Sequence, residues 1–113
     1  MSIRFRTAVA AAGVVLGVAS SAAFAQTVNG NAEAGKNKNS MCTGCHGIPG
    51  YRTAYPEVYH VPKIGGQQPA YIIAALKEYK SGARWHPSMR GIAASLSEQD
   101  MADLAAYYGG SGK

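Results

Sequence analysis

Cys42-Thr43-Gly44-Cys45-His46 constrains this chain more than any other stretch of it. Two cysteines three residues apart, followed at once by a histidine, form the attachment signature of a c-type haem. The two thiols can add across the two vinyl groups of one porphyrin. His46 then sits beneath the ring with its imidazole aimed at the iron. These are the only two cysteines in the sequence. If both become thioethers, nothing is left for a disulfide.

The start of the chain reads as a secretory signal peptide. Arg4 and Arg6 give a positive beginning, residues 8–19 are apolar, and Ala23-Phe24-Ala25 places small residues at a cleavage site. Cleavage is expected after Ala25, which defines residues 1–25 as signal peptide and 26–113 as the mature domain. The alternative is a retained anchor, since residues 7–25 are nearly long enough to span a bilayer. That stretch is rich in Ala and Ser rather than Leu. The mature part has 88 of the 113 residues, which is one small domain with room for only a modest side-chain core. A buried porphyrin would supply much of the missing apolar volume. Nine of the eleven Lys and Arg and all six acids lie after Ala25, so the mature formal charge is +3 rather than +5. This mild basicity suits an acidic protein partner and gives no support to nucleic-acid binding.

The pattern predicts helices and no sheet. Residues 32–40 form a short helix running into the haem motif, with Asn31 as N-cap and Glu33 in the first turn. Residues 47–66, with Pro49, Gly50, Pro56, Pro62, Gly65 and Gly66, are loop. Tyr51, Tyr55 and Tyr59 have helical spacing, but Pro56 interrupts it, so they are expected to pack under a loop. Residues 69–81 are the clearest helix: Pro69 suits the first turn, Ile72, Ala75, Leu76 and Tyr79 form an apolar stripe, and Gly82 stops it. Residues 84–95 are expected to be a loop containing Pro87. A last helix opens at Ser97 with Asp100 completing a capping box. It carries Met101, Leu104, Ala105 and Tyr108 on one side and ends at Gly109 and Gly110.

His46 leaves one axial position on the iron to fill. Met41 adjoins Cys42 and cannot easily reach the opposite face. Met101 falls on an apolar helical stripe, where a methionine is usually core filler. Met89 lies 43 residues after His46, far enough for the chain to wrap the ring edge, and Pro87 stiffens the approach. Met89 is therefore the expected ligand, with His86 a closer rival than His60. A thioether favours Fe(II) and raises the potential, whereas a second imidazole lowers it. A ligating imidazole also donates its other N–H to an acceptor. The Pro62 carbonyl can serve, although the residues fit an ordinary turn proline equally well.

Taken together these residues resemble the class I cytochromes c. The likeness is to the small bacterial mono-haem forms, which also look like single halves of the dihaem cytochromes. It covers the mature chain in order: Gly35-Lys36, then Cys42-Thr43-Gly44-Cys45-His46, then Pro62-Lys63-Ile64-Gly65-Gly66-Gln67, the helix from Tyr71 to Gly82, Met89-Arg90-Gly91-Ile92-Ala93, and Leu96-Ser97-Glu98-Gln99-Asp100 leading to Ala105-Ala106-Tyr107-Tyr108. The resemblance implies an all-α, small class I cytochrome c fold packed around one covalently bound haem c. It implies Cys42 and Cys45 as thioether donors, His46 and Met89 as axial iron ligands, and the Pro62 carbonyl as acceptor from His46. It implies that the first helix crosses the last, with Gly35 near Tyr107 or Tyr108. It also implies haem attachment outside the inner membrane, in agreement with the leader. One departure stands out. The segment 51–59 is longer and more aromatic than in the shortest family members, and Trp85 is either near a propionate or a plain core or surface residue.

The function implied is a periplasmic, monomeric electron carrier and not an enzyme. Its partners would be a donor dehydrogenase or cytochrome complex and an acceptor oxidase or reductase, with the membrane touched only through them. Lys36, Lys38, Lys63, Lys77, Lys80, Arg84 and Arg90 could include a steering patch. The alternative is an electron-transfer subunit held permanently in a larger redox enzyme complex. A thiol–disulfide protein or Cys/His metal site suits the sequence poorly, because two Cys and one His in a row make a poor tetrahedral set. A haem sensor or peroxidase needs a vacant sixth position.

Overall fold

The computed structural model describes residues 29–111, and the side chains of 29–109. The proposed leader and its cleavage site lie outside the described residues. Five helices account for most of the rest: α1 (Ala32–Lys38), α2 (Ser40–His46), α3 (Pro69–Ser81), α4 (Pro87–Ala94) and α5 (Glu98–Ser111). No helix among the described residues is long and apolar enough to cross a membrane.

The Asn31 side chain accepts the Ala34 N–H at 3.0 Å and starts α1. The expected single helix over 32–40 is two. Asn39 ends α1 and opens α2, its carbonyl accepting from both Cys42 and Thr43. The whole Cys42–His46 motif is thus helical. This matters for the site, because residues three and four apart share a helix face.

Other expectations fail too. Residues 84–95 contain α4 rather than loop only. Pro87 occupies the first helical turn, where its missing N–H costs nothing, and His86 caps it. The proline marks a helix start there, not a break. A small ribbon also exists where no sheet was expected. β1 (Arg52–Thr53) pairs antiparallel with β2 (Tyr59–His60), with Arg52 opposite His60 and Thr53 opposite Tyr59. Two residues per strand are too few for a period-two pattern to be read.

The ends of α3 and α5 show how much a glycine depends on context. Gly82 stops α3 in the left-handed region at φ +85°, as its sequence position suggests. Gly109 and Gly110 do not stop α5, which continues to Ser111. At Gly109 the helix passes so close to Pro69 that a Cβ would come within 2.5 Å of its ring. Absence of a side chain is what that position uses.

Helix α5 is the spine. It packs on α1 at one side and α3 at the other, and α4 packs on α3. Its apolar side supplies Met101, Leu104, Ala105 and Tyr108 to the core, with Ile72 of α3 and Leu96. Met101 is buried in that cluster. The α1–α5 crossing is a backbone-to-backbone contact. A Cβ on Gly35 would collide with the Asp103 carbonyl and the Tyr107 Cβ, and one on Gly30 with the Ala102 carbonyl. Asp103, buried at 2 % exposure, fastens the crossing. Its carboxylate accepts from the Asn31 N–H at 2.8 Å, Lys38 Nζ at 2.8 Å and Gln99 Nε2 at 2.8 Å.

Candidate functional site

Helix α2 sets the spacing of the attachment motif. Cys42 and Cys45 are one turn apart, and His46 follows Cys42 by four residues, so the three side chains share one side of a two-turn helix. The thiols are not joined to each other. Cys42 packs against the core cluster. Burial pushes its thiol up, only partly offset by the neighbouring Tyr108 hydroxyl. A thiol held protonated is a poor redox nucleophile, which counts against thiol–disulfide exchange. Tyr108 is itself pushed up to about 12, by burial first and the Cys42 charge second.

The chain returns to α2 at Pro62. The Val61 N–H donates to the Tyr51 carbonyl at 3.0 Å, and this places the next carbonyl against His46. His46 Nδ1 lies 2.7 Å from the Pro62 oxygen. A carbonyl can only accept, so Nδ1 carries a proton, and in the neutral ring Nε2 is the nitrogen with the lone pair. This is the tautomer that a metal-bound imidazole requires, and the donor set fits haem iron on that ground. A cavity of about 320 Å³ opens beside His46, lined by Thr43, Pro49, Lys63 and Tyr107 among others. It reaches neither Cys45 nor Met89, so it lies to one side of the motif.

Met89 sits in the first turn of α4, half-buried. Its N–H donates to His86 Nδ1 at 3.3 Å. Helix α4 packs on α3, and α2 packs extensively on no other helix, α4 included. His60 is exposed on the ribbon. Trp85 is exposed too, at 70 %. Of the three tyrosines expected to pack, Tyr51 is half-buried, while Tyr55 projects from the ribbon turn at 67 % exposure. Tyr59 is exposed on one side, and its ring meets His86 edge-on.

The basic residues divide into two groups. Lys38 bridges Asp100 at 2.7 Å and Asp103 at 2.8 Å, Lys77 pairs with Glu98 at 3.0 Å, and Lys36 lies 3.8 Å from Glu33. Lys80 donates to the Leu96 carbonyl, and Arg84 stacks over Tyr79 at 4.9 Å. Lys63, Arg52 and Arg90 have no ion pair among the described residues. Much of the proposed steering set is therefore committed to the fold. Sequence reasoning missed two features here. One is the Lys38–Asp103 clamp, which joins residues 65 apart and leaves no local signal. The other is the cap on α4, whose signal was the His86-Pro87 pair itself.

The family profile described as Cytochrome c matches residues 29–108. Cytochrome c4 of Pseudomonas aeruginosa is 38% identical over 79 residues, 70% of this chain and 37% of that protein. Cytochrome c-554(548) of Halomonas halodenitrificans is 38% identical over 82 residues, covering 70% of this chain and 94% of its own length. The chain thus spans less than two-fifths of one relative and nearly all of the other. Among solved structures, reduced recombinant cytochrome c4 from Pseudomonas stutzeri superposes with a TM-score of 0.53 at 31% identity, over 74% of this chain and 52% of that one. The helical order, the motif on α2 and these matches agree: the chain belongs to the cytochrome c family of electron-transfer proteins, and its cofactor is a covalently attached haem c.

Proposed function

We propose that this protein is a periplasmic mono-haem carrier that passes single electrons between respiratory redox partners. Cys42 and Cys45 would form the thioethers, and His46 and Met89 would hold the iron. The Pro62 carbonyl holds His46. When bound, the haem supplies an iron that cycles between Fe(II) and Fe(III). The observation that carries the reading is the 2.7 Å contact between His46 Nδ1 and the Pro62 oxygen, which leaves Nε2 as a fixed lone-pair donor on the face shared with both cysteines.

The chain's own groups serve such a carrier in three ways. Pro62 fixes the imidazole plane and tautomer, so the ligand does not reorient between redox states. Met89 offers a neutral, soft donor that favours the reduced state. Its place inside α4, rather than in a free loop, limits the motion of that donor. Docking follows through a small interface, steered by the cations that the fold does not consume.

Absorption spectra of the exported protein in both oxidation states test this directly. Covalent haem resists acid-acetone extraction, and the near-infrared Met-to-Fe(III) band is expected in wild type and absent in Met89→Ala. Persistence of the band in that variant contradicts the ligand assignment. A second reading, a subunit held permanently in a redox enzyme complex, draws support from the exposed apolar side chains of Tyr55, Val58 and Trp85. Sedimentation of the protein at native expression level separates the two: a single small species supports the free carrier, and co-migration with a larger assembly supports the subunit.

A further inference from the structure

His86 stands between two parts of the molecule that are otherwise unconnected in sequence. Its ring meets Tyr59 of the ribbon edge-on, with centroids 6.5 Å apart at 66°. On the other side it meets Tyr79 of α3 edge-on, at 6.3 Å and 76°. The ring is held by both neighbours in the geometry aromatic pairs prefer. The position of its Nδ1 is thereby set, and Nδ1 accepts the N–H of Met89.

Histidine is not a preferred residue for this task. Ser, Thr, Asp and Asn cap helices best, and α5 uses that solution with Ser97 and Asp100. A small polar residue at position 86 would satisfy the same N–H. It would leave the ribbon with no ring to rest on. The long aromatic segment between the haem motif and Pro62 gains a purpose here: its returning strand brings Tyr59 to His86.

We propose that His86 is a positioning residue for Met89: its Nδ1, oriented by the edge-on rings of Tyr59 and Tyr79, ties the turn of α4 that carries the thioether. This rests on Met89 being the sixth ligand. Each contact is local, so the effect differs from a general loss of stability.

The test uses the holoprotein and four variants: H86F, H86A, H86N and Met89→Ala. H86F keeps a ring in the stack but has no acceptor, whereas H86N keeps an acceptor and loses the ring. The readouts are amide exchange at Met89, carbon monoxide uptake by the reduced protein, the near-infrared band and the thermal midpoint. In H86A and H86F the Met89 amide is expected to exchange roughly fivefold faster, the factor an ordinary cap makes in an opening equilibrium. Carbon monoxide uptake rises with it. H86N restores most of the amide protection. If H86A and H86F lower the thermal midpoint but leave exchange at Met89, the band and carbon monoxide uptake at wild-type values, His86 is only a structural residue and the proposal fails. If H86N is as impaired as H86A at the Met89 amide, the acceptor is not the agent and the proposal fails. Met89→Ala separates this from the reading beneath it. Loss of the band in Met89→Ala with unperturbed His86 variants overturns the role of His86 alone. Persistence of the band in Met89→Ala overturns the ligand assignment, and the positioning role with it.

Discussion

The α1–α5 crossing and the two arms that carry the proposed ligands, His46 and Met89, are built on opposite principles. At the crossing, Gly35 of α1 and Gly30 just before it bring their backbone against that of α5, and the buried Asp103 gathers three donors from Asn31, Lys38 and Gln99. Every interaction there is made by the protein with itself. The arms are different. Helix α2 contains no buried residue, and His46 is held by a single hydrogen bond from a loop. Met89 is tied at its backbone by a single imidazole. The contrast teaches that the polypeptide builds its own frame and leaves the arms to be completed by the cofactor it attaches.

The largest effect should come from filling the crossing. Gly35→Ala puts a methyl group into the Asp103 carbonyl, and two backbones cannot yield as a side chain can. A loss of about 3 kcal/mol or more is expected in denaturant unfolding. Gly44→Ala, on α2 with nothing within 4 Å of the new Cβ, should change stability by less than about 1 kcal/mol. Comparable losses at the two glycines would erase the distinction between frame and arm.

Asp103→Asn comes next. It keeps the shape and removes the charge that Lys38 and the Asn31 N–H address, at an expected cost of about 2 kcal/mol at neutral pH. The pH dependence sharpens this. Lys38 holds the carboxyls of both Asp100 and Asp103 below the usual carboxylate range, with the Asn31 N–H adding to the effect at Asp103 and Ser97 at Asp100. The folded state therefore binds these protons more weakly than the unfolded chain does. The stability they confer is complete above the unfolded carboxylate value of about 4 and is lost as pH falls through the depressed folded values. Thermal melts of wild type should drop on that side, and those of Asp103→Asn should drop less. The smallest of these effects is at the α5 cap. Ser97→Ala removes a hydroxyl that accepts the Asp100 N–H at 3.1 Å and costs about 1 kcal/mol.

What could be read beforehand follows the same division by range. Local signals spoke clearly: Asn31 before α1, Pro69 and Gly82 at the ends of α3, Ser97 and Asp100 at the start of α5, and the attachment motif itself. The resemblance to class I cytochromes c added the Gly35 crossing, which falls at Asp103 and Tyr107. Other signals mean two things. Pro87 reads as a loop residue because a proline that starts a helix and one that ends a helix look alike without knowing what caps it. Gly109 reads as a stop because close packing on Pro69 is a long-range fact. The Lys38–Asp103 clamp and the Tyr59–His86 contact were illegible for the same reason, since no pattern in one segment announces its partner in another. The attachment motif, and with it the haem c cofactor, was legible because its chemistry is written in consecutive letters from Cys42 to His46.

The central claim is that the two arms meet one iron from opposite sides, through an imidazole and a thioether. Proton NMR of the reduced holoprotein with labelled methionine methyl groups tests it most directly. One methyl resonance should be shifted far upfield by the porphyrin ring current and should vanish in Met89→Leu, while the signals of Met41 and Met101 stay in place. An upfield methyl that survives Met89→Leu, or a reduced protein with no upfield methyl at all, would contradict the account.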